Sequence, residues 1–257
     1  MSAVLCVTNQ KGGVAKTTTT AALLDGMASD GIDVFGIDMD PQGDLSSIVD
    51  PSRLAESSSE LVLGTVSGHP ASGSVFHSDR DSLVGLTSAL ADGSVGIDSL
   101  RSALESVCSP NQVAIIDTPP NADILTVLSL AAADYVLIPT TADRFGTMGV
   151  RHVIELIAGV DEQFGRESAT EVGVVFTRYE ALTRVHREFA TAMTEQFEKV
   201  GIKVMPQRIG RSTAIVEAQA AAEPIYERAG RIWRGAIAQY RLLTQSVEVW
   251  MGLSGGQ

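Results

Sequence analysis

An apolar run, Ala3-Val4-Leu5-Cys6-Val7, leads through Asn9-Gln10-Lys11-Gly12-Gly13-Val14-Ala15-Lys16-Thr17-Thr18 into the helical pattern Thr19-Thr20-Ala21-Ala22-Leu23-Leu24. Strand, glycine-bearing loop and helix start, in that order, are the context a phosphate-binding loop requires. Gly12 and Gly13 let the backbone curl so that successive N–H groups face phosphate oxygens. Lys16, at the helix entrance, is placed to bridge the β- and γ-phosphates of a nucleotide, and the Thr17 hydroxyl to ligate Mg²⁺. The usual pattern is G-x-x-x-x-G-K-S/T, and Gln10 and Ala15 stand where its two glycines would be. The variant K-G-G-x-x-K-S/T is matched in full, with Lys11 as an added lysine. The chain's other lysines are Lys199 and Lys203, so half of them fall inside one loop. A chain that otherwise carries arginine and keeps two lysines there needs compact ammonium charges at that point.

Two further segments supply carboxylates. Asp38-Met39-Asp40-Pro41-Gln42-Gly43-Asp44 follows a second apolar run, and ligands of open α/β sheets sit at the carboxyl ends of strands. Asp40 is expected to orient and deprotonate the attacking water, with Asp38 standing behind the Mg²⁺ and the loop. Val113-Ala114-Ile115-Ile116-Asp117-Thr118-Pro119-Pro120 places one more carboxylate at a strand tip. Asp117 there would hold Mg²⁺ directly or through water, and Thr-Pro-Pro would form a switch that senses the γ-phosphate.

These three motifs, in this order, resemble those of the ParA/MinD superfamily of P-loop ATPases with a deviant Walker A sequence. The resemblance implies that Lys11 reaches the nucleotide of a partner subunit in an ATP-bound homodimer. It identifies Lys11, Lys16 and Asp40 as catalytic residues, and Thr17, Asp40 and Asp117 as the Mg²⁺ set. Lys11, Gly12, Gly13, Val14, Ala15, Lys16, Thr17, Thr18 and Asp117 would contact ATP. The C-terminal third adds Val174-Val175-Phe176-Thr177-Arg178-Tyr179-Glu180 and Ile209-Gly210-Arg211-Ser212-Thr213, which are similar to the family's segments beside the adenine. They bring Arg178 and Arg211 into the expected nucleotide site. Gly210 replaces the family's proline, Ser212 and Asp44 its asparagines, and Ala214 stands where some ParA proteins carry a DNA-contacting arginine. DNA contact is therefore expected at Arg184, Arg187 and Arg208, with Arg231 and Arg234 nearby.

The implied function is a dimerisation switch. The ATP dimer would bind double-stranded DNA without sequence preference, and a ParB-like or other cargo-bound partner would stimulate slow hydrolysis in plasmid or chromosome partition. A net charge of −12 opposes DNA binding, but its distribution is uneven. Residues 1–170 hold 8 Lys+Arg against 22 Asp+Glu, whereas residues 171–257 hold 11 against 9. An acidic body with an arginine-bearing third is compatible with a local DNA-contacting face. Two alternatives remain. A MinD-like membrane-cycling ATPase needs an amphipathic C-terminal anchor, and the tail 247–257, with no basic residue and glycines near its end, disfavours it. A non-catalytic ATP-dependent scaffold would be separated from an ATPase by steady-state phosphate release.

The remaining pattern is an alternation of apolar strands and helices, the signature of a parallel sheet wrapped on both faces. Strands are expected at 3–8, 33–38, 112–117, 134–139, 172–177 and 202–206. Helices are expected at 17–29, 97–107, 122–132, 147–164, 184–200 and 229–249. The Ser/Gly-rich stretch 57–96 reads as one or two short helices joined by loops, with a short strand near Leu83-Val84-Gly85-Leu86. The expected fold is thus a single α/β domain over 1–257, doubly wound, mainly parallel and of P-loop NTPase type. No apolar run approaches the roughly 20 residues of a membrane span, so the expected place is the cytoplasm, with nucleoid association in the ATP-bound state. Cys6 and Cys108 form no zinc or disulfide pattern, and the four histidines no metal-ligand spacing. Trp233 and Trp250 are expected to pack on the last helix.

Overall fold

The computed structural model describes residues 2–165, 170–226 and 234–253. Its strands are β1 Ala3–Val7, β2 Val34–Asp38, β3 Leu54–Ser57, β4 Val75–His77, β5 Val113–Asp117, β6 Tyr135–Thr140, β7 Glu171–Phe176 and β8 Lys203–Arg208. All pair in parallel, in the order β3-β4-β2-β5-β1-β6-β7-β8. The helices are α1 Lys16–Ser29, α2 Asp44–Ile48, α3 Ser58–Val62, α4 Arg80–Ala91, α5 Ser99–Val107, α6 Ile124–Ala132, α7 Arg144–Phe164, α8 Arg184–Lys199, α9 Thr213–Ala220 and α10 Arg234–Trp250. The central strands read as unbroken apolar runs because both of their faces are covered. Leu5 and Val7 of β1 join a core with α1, α9 and α10, whereas Val4 and Cys6 turn to the opposite helices.

Topology places the site. The chain leaves β1 toward β5 and β2 on one side and returns to β6 on the other, so β1 lies at the switch point where α/β sheets hold ligands. Register then levels the strand ends: Asp117 is paired with Val7 across one ladder and with Asp38 across the other. The loop after β1 therefore emerges beside both carboxylates.

Every strand and helix expected outside 57–96 is present among the described residues, with ends moved by a few residues; of the helix expected at 229–249, residues 229–233 lie outside the described residues and α10 covers the rest. The helix expected from 147 starts at Arg144, because Asp143 caps it by accepting the Gly146 N–H at 2.7 Å. The strand expected at Leu83-Val84-Gly85-Leu86 is instead the middle of α4. Asp79 caps that helix through Ser82 N–H at 2.8 Å, and Leu83, Leu86 and Leu90 are buried at helical spacing. The short strands β3 and β4 and the short helices α2 and α9 had no readable pattern, since three to eight residues carry little periodicity. Trp250 packs edge-on against Tyr135 and donates its indole N–H to Glu171, while Trp233 lies outside the described residues. Among the described residues, no helix is long and apolar enough to cross a membrane.

Helix α10 closes over α1 at Gly26, where a Cβ would come within 2.6 Å of Thr244 Oγ1. Beyond that contact, Arg241 pairs with Asp30 and Glu248 is buried against the same aspartate. Burial first, and then the Asp30 carboxylate, push the Glu248 carboxyl up to about 7. Its proton is retained in the fold after the unfolded chain has lost it, so this group's contribution to stability falls as pH rises from about 4.5 to about 7. Glu248→Gln keeps the shape without the charge. It is expected to raise Tm by about 2–4 °C at pH 8, as ~1 kcal/mol does in a domain of this size, and to leave it unchanged at pH 4.5. Thermal melts at the two pH values check this, and equal shifts at both would assign the effect to packing.

Candidate functional site

The loop between β1 and α1 is built from two left-handed residues, Gly13 (φ 71°) and Ala15 (φ 64°). Ala15 occupies the position at which the usual pattern has glycine, at a cost of about 1–2 kcal/mol. Neighbouring groups hold the strained turn in place. The Thr19 hydroxyl donates to Ala15 O at 2.7 Å, Thr177 to Val14 O at 2.9 Å, and the Arg178 guanidinium to Gly13 O at 2.7 Å. No side chain caps α1, which leaves its first N–H groups and the positive end of its dipole turned toward the loop. This is an anion cradle, and its charge is Lys16, buried at the first helical position. Burial lowers the Lys16 pKa, and Asp117, Asp40 and Asp44, in that order, oppose the shift.

Thr17 Oγ1 donates to Asp117 Oδ2 at 2.8 Å, and Thr20 Oγ1 to Asp117 Oδ1 at 3.0 Å. Burial, then the nearby Asp38 carboxylate, push the Asp117 carboxyl above its ordinary range, against the pull of those two hydroxyls and Lys16. The donor set fits a hard divalent cation. Mg²⁺ takes octahedral oxygens at about 2.0–2.1 Å, which sets neighbouring ligands about 2.9 Å apart, close to the Thr17–Asp117 separation. Asp38 is committed elsewhere: Oδ2 accepts Ser46 N–H at 2.8 Å and Ser46 Oγ at 2.6 Å, and Oδ1 accepts Asp40 N–H at 3.2 Å. Its carboxyl is pushed up to about 6, chiefly by burial, and it organises the turn that carries Asp40. Asp40, 6% exposed, accepts Gln42 N–H at 2.9 Å through Oδ1. Burial raises its pKa, and the Lys16 charge acts in the other direction. A buried carboxylate with raised basicity beside a cationic loop is suited to taking a proton from a water.

A cavity of about 710 Å³ continues from Gly13 and Thr18 along Arg178, Arg211, Ile215 and Tyr240, within the usual size range of small-molecule sites. The two arginines expected in the site are thus brought together, Arg211 lying 3.8 Å from Glu180. Gly210 stands where the resemblance implies a proline, and its N–H is used. Gly210 N–H donates to Gln239 Oε1 at 2.9 Å, a bond proline lacks the hydrogen to make. Gln219 of α9 adds a bond to Thr18 Oγ1 at 2.9 Å.

Lys11 does not point into this cradle. Its Nζ bonds Thr141 Oγ1 at 2.8 Å and Asp143 at 3.2 Å, and it lies 5.8 Å from the Phe145 ring centre. Asn9 turns the chain for this, accepting Lys11 N–H at 2.9 Å and donating to Pro139 O at 2.8 Å. The three arginines expected to meet DNA lie on β8 and the first turn of α8. Arg208 stacks on Tyr179 and donates to its hydroxyl at 3.1 Å, Arg187 donates to Ala181 O at 3.1 Å, and Arg184 pairs with Glu188 at 2.6 Å. Arg231 lies outside the described residues, and of Arg234 only the backbone in α10 is described.

Sequence reasoning missed Thr20, Ser46, Gln219, Thr141 and Asp143. Asn9 carried a usable signal, as a turn-forming amide two residues before Lys11. Gln219 carried none, because its partner is 201 residues away.

Comparison with known proteins agrees with this fold. Residues 2–169 match the model of a family described as an AAA domain. The chain is 30% identical to the chromosome partitioning protein ParA of Caulobacter vibrioides over 86% of its length and 85% of that protein's. It is 30% identical to the chromosome-partitioning ATPase Soj of Treponema pallidum over 90% of its length and 96% of that protein's. Among solved structures, cobyrinic acid a,c-diamide synthase from Mycobacterium smegmatis, with a bound ATP analogue and magnesium, superposes with a TM-score of 0.76. That match has 26% identity and covers 98% of this chain and 96% of the other.

Proposed function

Because this chain belongs to the ParA/MinD superfamily of P-loop ATPases, we propose that it binds ATP with Mg²⁺, dimerises on it, and hydrolyses it slowly as a ParA-type partition or cargo-positioning switch. The observation that carries this reading is the convergence of Lys16, Thr17, Asp40 and Asp117 at level strand ends. Thr17 and Asp117 would hold Mg²⁺, which supplies charge neutralisation at the phosphates when bound. Lys16 and the N–H groups of the loop bind and orient the β- and γ-phosphates. Asp40 accepts the proton of the attacking water. Arg178 and Arg211 flank the remainder of the nucleotide.

Lys11 is the switch residue in this reading. Its charge is held by Thr141 and Asp143 of its own subunit, and it would leave them for the partner's nucleotide in the dimer. Lys11→Ala is expected to leave ATP affinity within about threefold and to weaken ATP-dependent dimerisation at least tenfold, the loss of about 1.4 kcal/mol or more. Light scattering with ATP and Mg²⁺ measures it. A mutant that dimerises like the wild type would return Lys11 to its own subunit.

Non-specific binding of duplex DNA by the ATP dimer completes the reading, together with nucleoid association and a ParB-like or other adaptor that stimulates hydrolysis. Arg208 on Tyr179, Arg187 on Ala181 and Arg184, which pairs with Glu188 on α8, are the proposed contacts. Each phosphate contact adds about 0.9 to the slope of log affinity against log salt, so a few arginines on an acidic body bind weakly unless dimerisation doubles them. Reversing all three to Glu is expected to abolish the ATP-dependent gel shift at low salt and leave phosphate release unchanged. A shift that survives the triple reversal would place DNA on another face.

A further inference from the structure

Arg178 is held in the left-handed region, at φ 51°, which a residue with a Cβ adopts only under constraint. The constraint is the sheet on either side of it. Thr177 N–H donates to Thr140 O at 2.7 Å and Tyr179 N–H to Ile209 O at 2.9 Å, so its neighbours are tied to the end of β6 and to the residue after β8. From there the side chain passes the end of β6 to the loop after β1, where Nη1 donates to Gly13 O at 2.7 Å. The approach is close: a Cβ at Gly13 would stand 3.1 Å from Nη1. Position 13 thus calls for glycine twice, for its φ of 71° and for the guanidinium against it.

Arg178 is one of three donors on successive carbonyls of the loop. Val14 O takes the Thr177 hydroxyl at 2.9 Å, and Ala15 O the Thr19 hydroxyl at 2.7 Å. In a trans peptide unit C=O and N–H point in opposite directions, and no peptide bond among the described residues is cis. Drawing the three carbonyls to their donors therefore turns the N–H groups of Val14, Ala15 and Lys16 away from those donors. None of the three bonds another group among the described residues, which leaves them for an anion. Gly13, without a Cβ, is where a carbonyl of this loop swings most readily, so the donor there does the most to fix it. A swung carbonyl would present its negative end to a phosphate. We propose that Arg178 is a positioning residue for the phosphate loop: it acts on ATP through the Gly13 carbonyl, by setting the loop before the nucleotide arrives. A loop ordered in advance loses less freedom on binding. This role rests on the ATPase reading above; the bond to Gly13 does not.

The first measurement needs no nucleotide. In the ¹³C,¹⁵N-labelled full chain, Arg178→Gly should move the Gly13 carbonyl and Val14 amide resonances, and Arg178→Lys, which keeps a donor, should move them less. Glycine suits the left-handed backbone, so the fold survives loss of the guanidinium, as a thermal melt checks. The second measurement is a double-mutant cycle read by titration calorimetry with ATP and Mg²⁺. Arg178→Gly and Thr19→Val are each expected to raise the Kd about tenfold. Together they should raise it about twentyfold, against the roughly hundredfold of independent contacts, because both act through one loop. Thr177→Val, which frees the Val14 carbonyl, replaces Thr19→Val if that variant does not fold. Effects that multiply would make Arg178 a direct ligand of the nucleotide and overturn the positioning role. Unchanged ATP affinity in Arg178→Gly would overturn it as well. A wild-type chain that binds no ATP would overturn it together with the ATPase reading, whereas unmoved resonances beside intact ATP binding would overturn this role alone.

Discussion

Lys16→Ala is expected to raise the Kd for ATP about a thousandfold, which isothermal titration calorimetry in Mg²⁺ would measure. Lys16 is the buried cation at the mouth of an uncapped helix, within the field of Asp117 and Asp40. Truncating one partner of a buried, hydrogen-bonded charge pair costs about 2–5 kcal/mol, and about 4 kcal/mol is a factor of roughly a thousand. The N–H groups of the loop cannot compensate, because the mutant leaves two phosphate charges facing two aspartates. Near-normal affinity would show that the strained loop and the helix dipole hold the phosphates by themselves, and would remove Lys16 from the site.

Asp40 is expected to separate binding from chemistry. Asp40→Ala should bind ATP within about threefold of the wild type while phosphate release falls at least a hundredfold, since general base catalysis contributes roughly 10²–10⁴. The ATP dimer should then accumulate. Asp40→Asn refines the experiment. Its amide oxygen can still accept Gln42 N–H, which preserves the turn, but it cannot take a proton. If Asn behaves as Ala does, the carboxylate acts as a base; if Asn restores turnover, Asp40 only shapes the turn. Wild-type phosphate release in both variants would mean that another group orients the water.

Much of this site was legible because its chemistry is encoded in contiguous residues. Strand, glycine turn, lysine and threonine follow one another within 15 residues, and Asp38, Asp40 and Asp117 each end an apolar run or follow one directly. A buried parallel strand must be apolar on both faces, so the point where an acid interrupts it is visible as a strand tip. The error at Leu83–Leu86 has the same origin in reverse. Four residues fit a strand as well as a helix until the Asp79 cap and Leu90 extend the pattern.

Tertiary structure alone decided who meets whom. Thr17 and Thr20 hold Asp117 from about 100 residues away, because β1 happens to lie next to β5 and Val7 is level with Asp117. Nothing in an apolar run says which other run is its neighbour, since doubly covered strands present the same surface to any partner. The same is true of Lys11, which its motif singles out but whose contacts, Thr141 and Asp143, arrive only with the β6–α7 connection. Arg178 and Arg211 share a cavity with Gly13 because β7 and β8 end at that edge. Local sequence determined the groups proposed to do the chemistry, and strand order and register determined their partners.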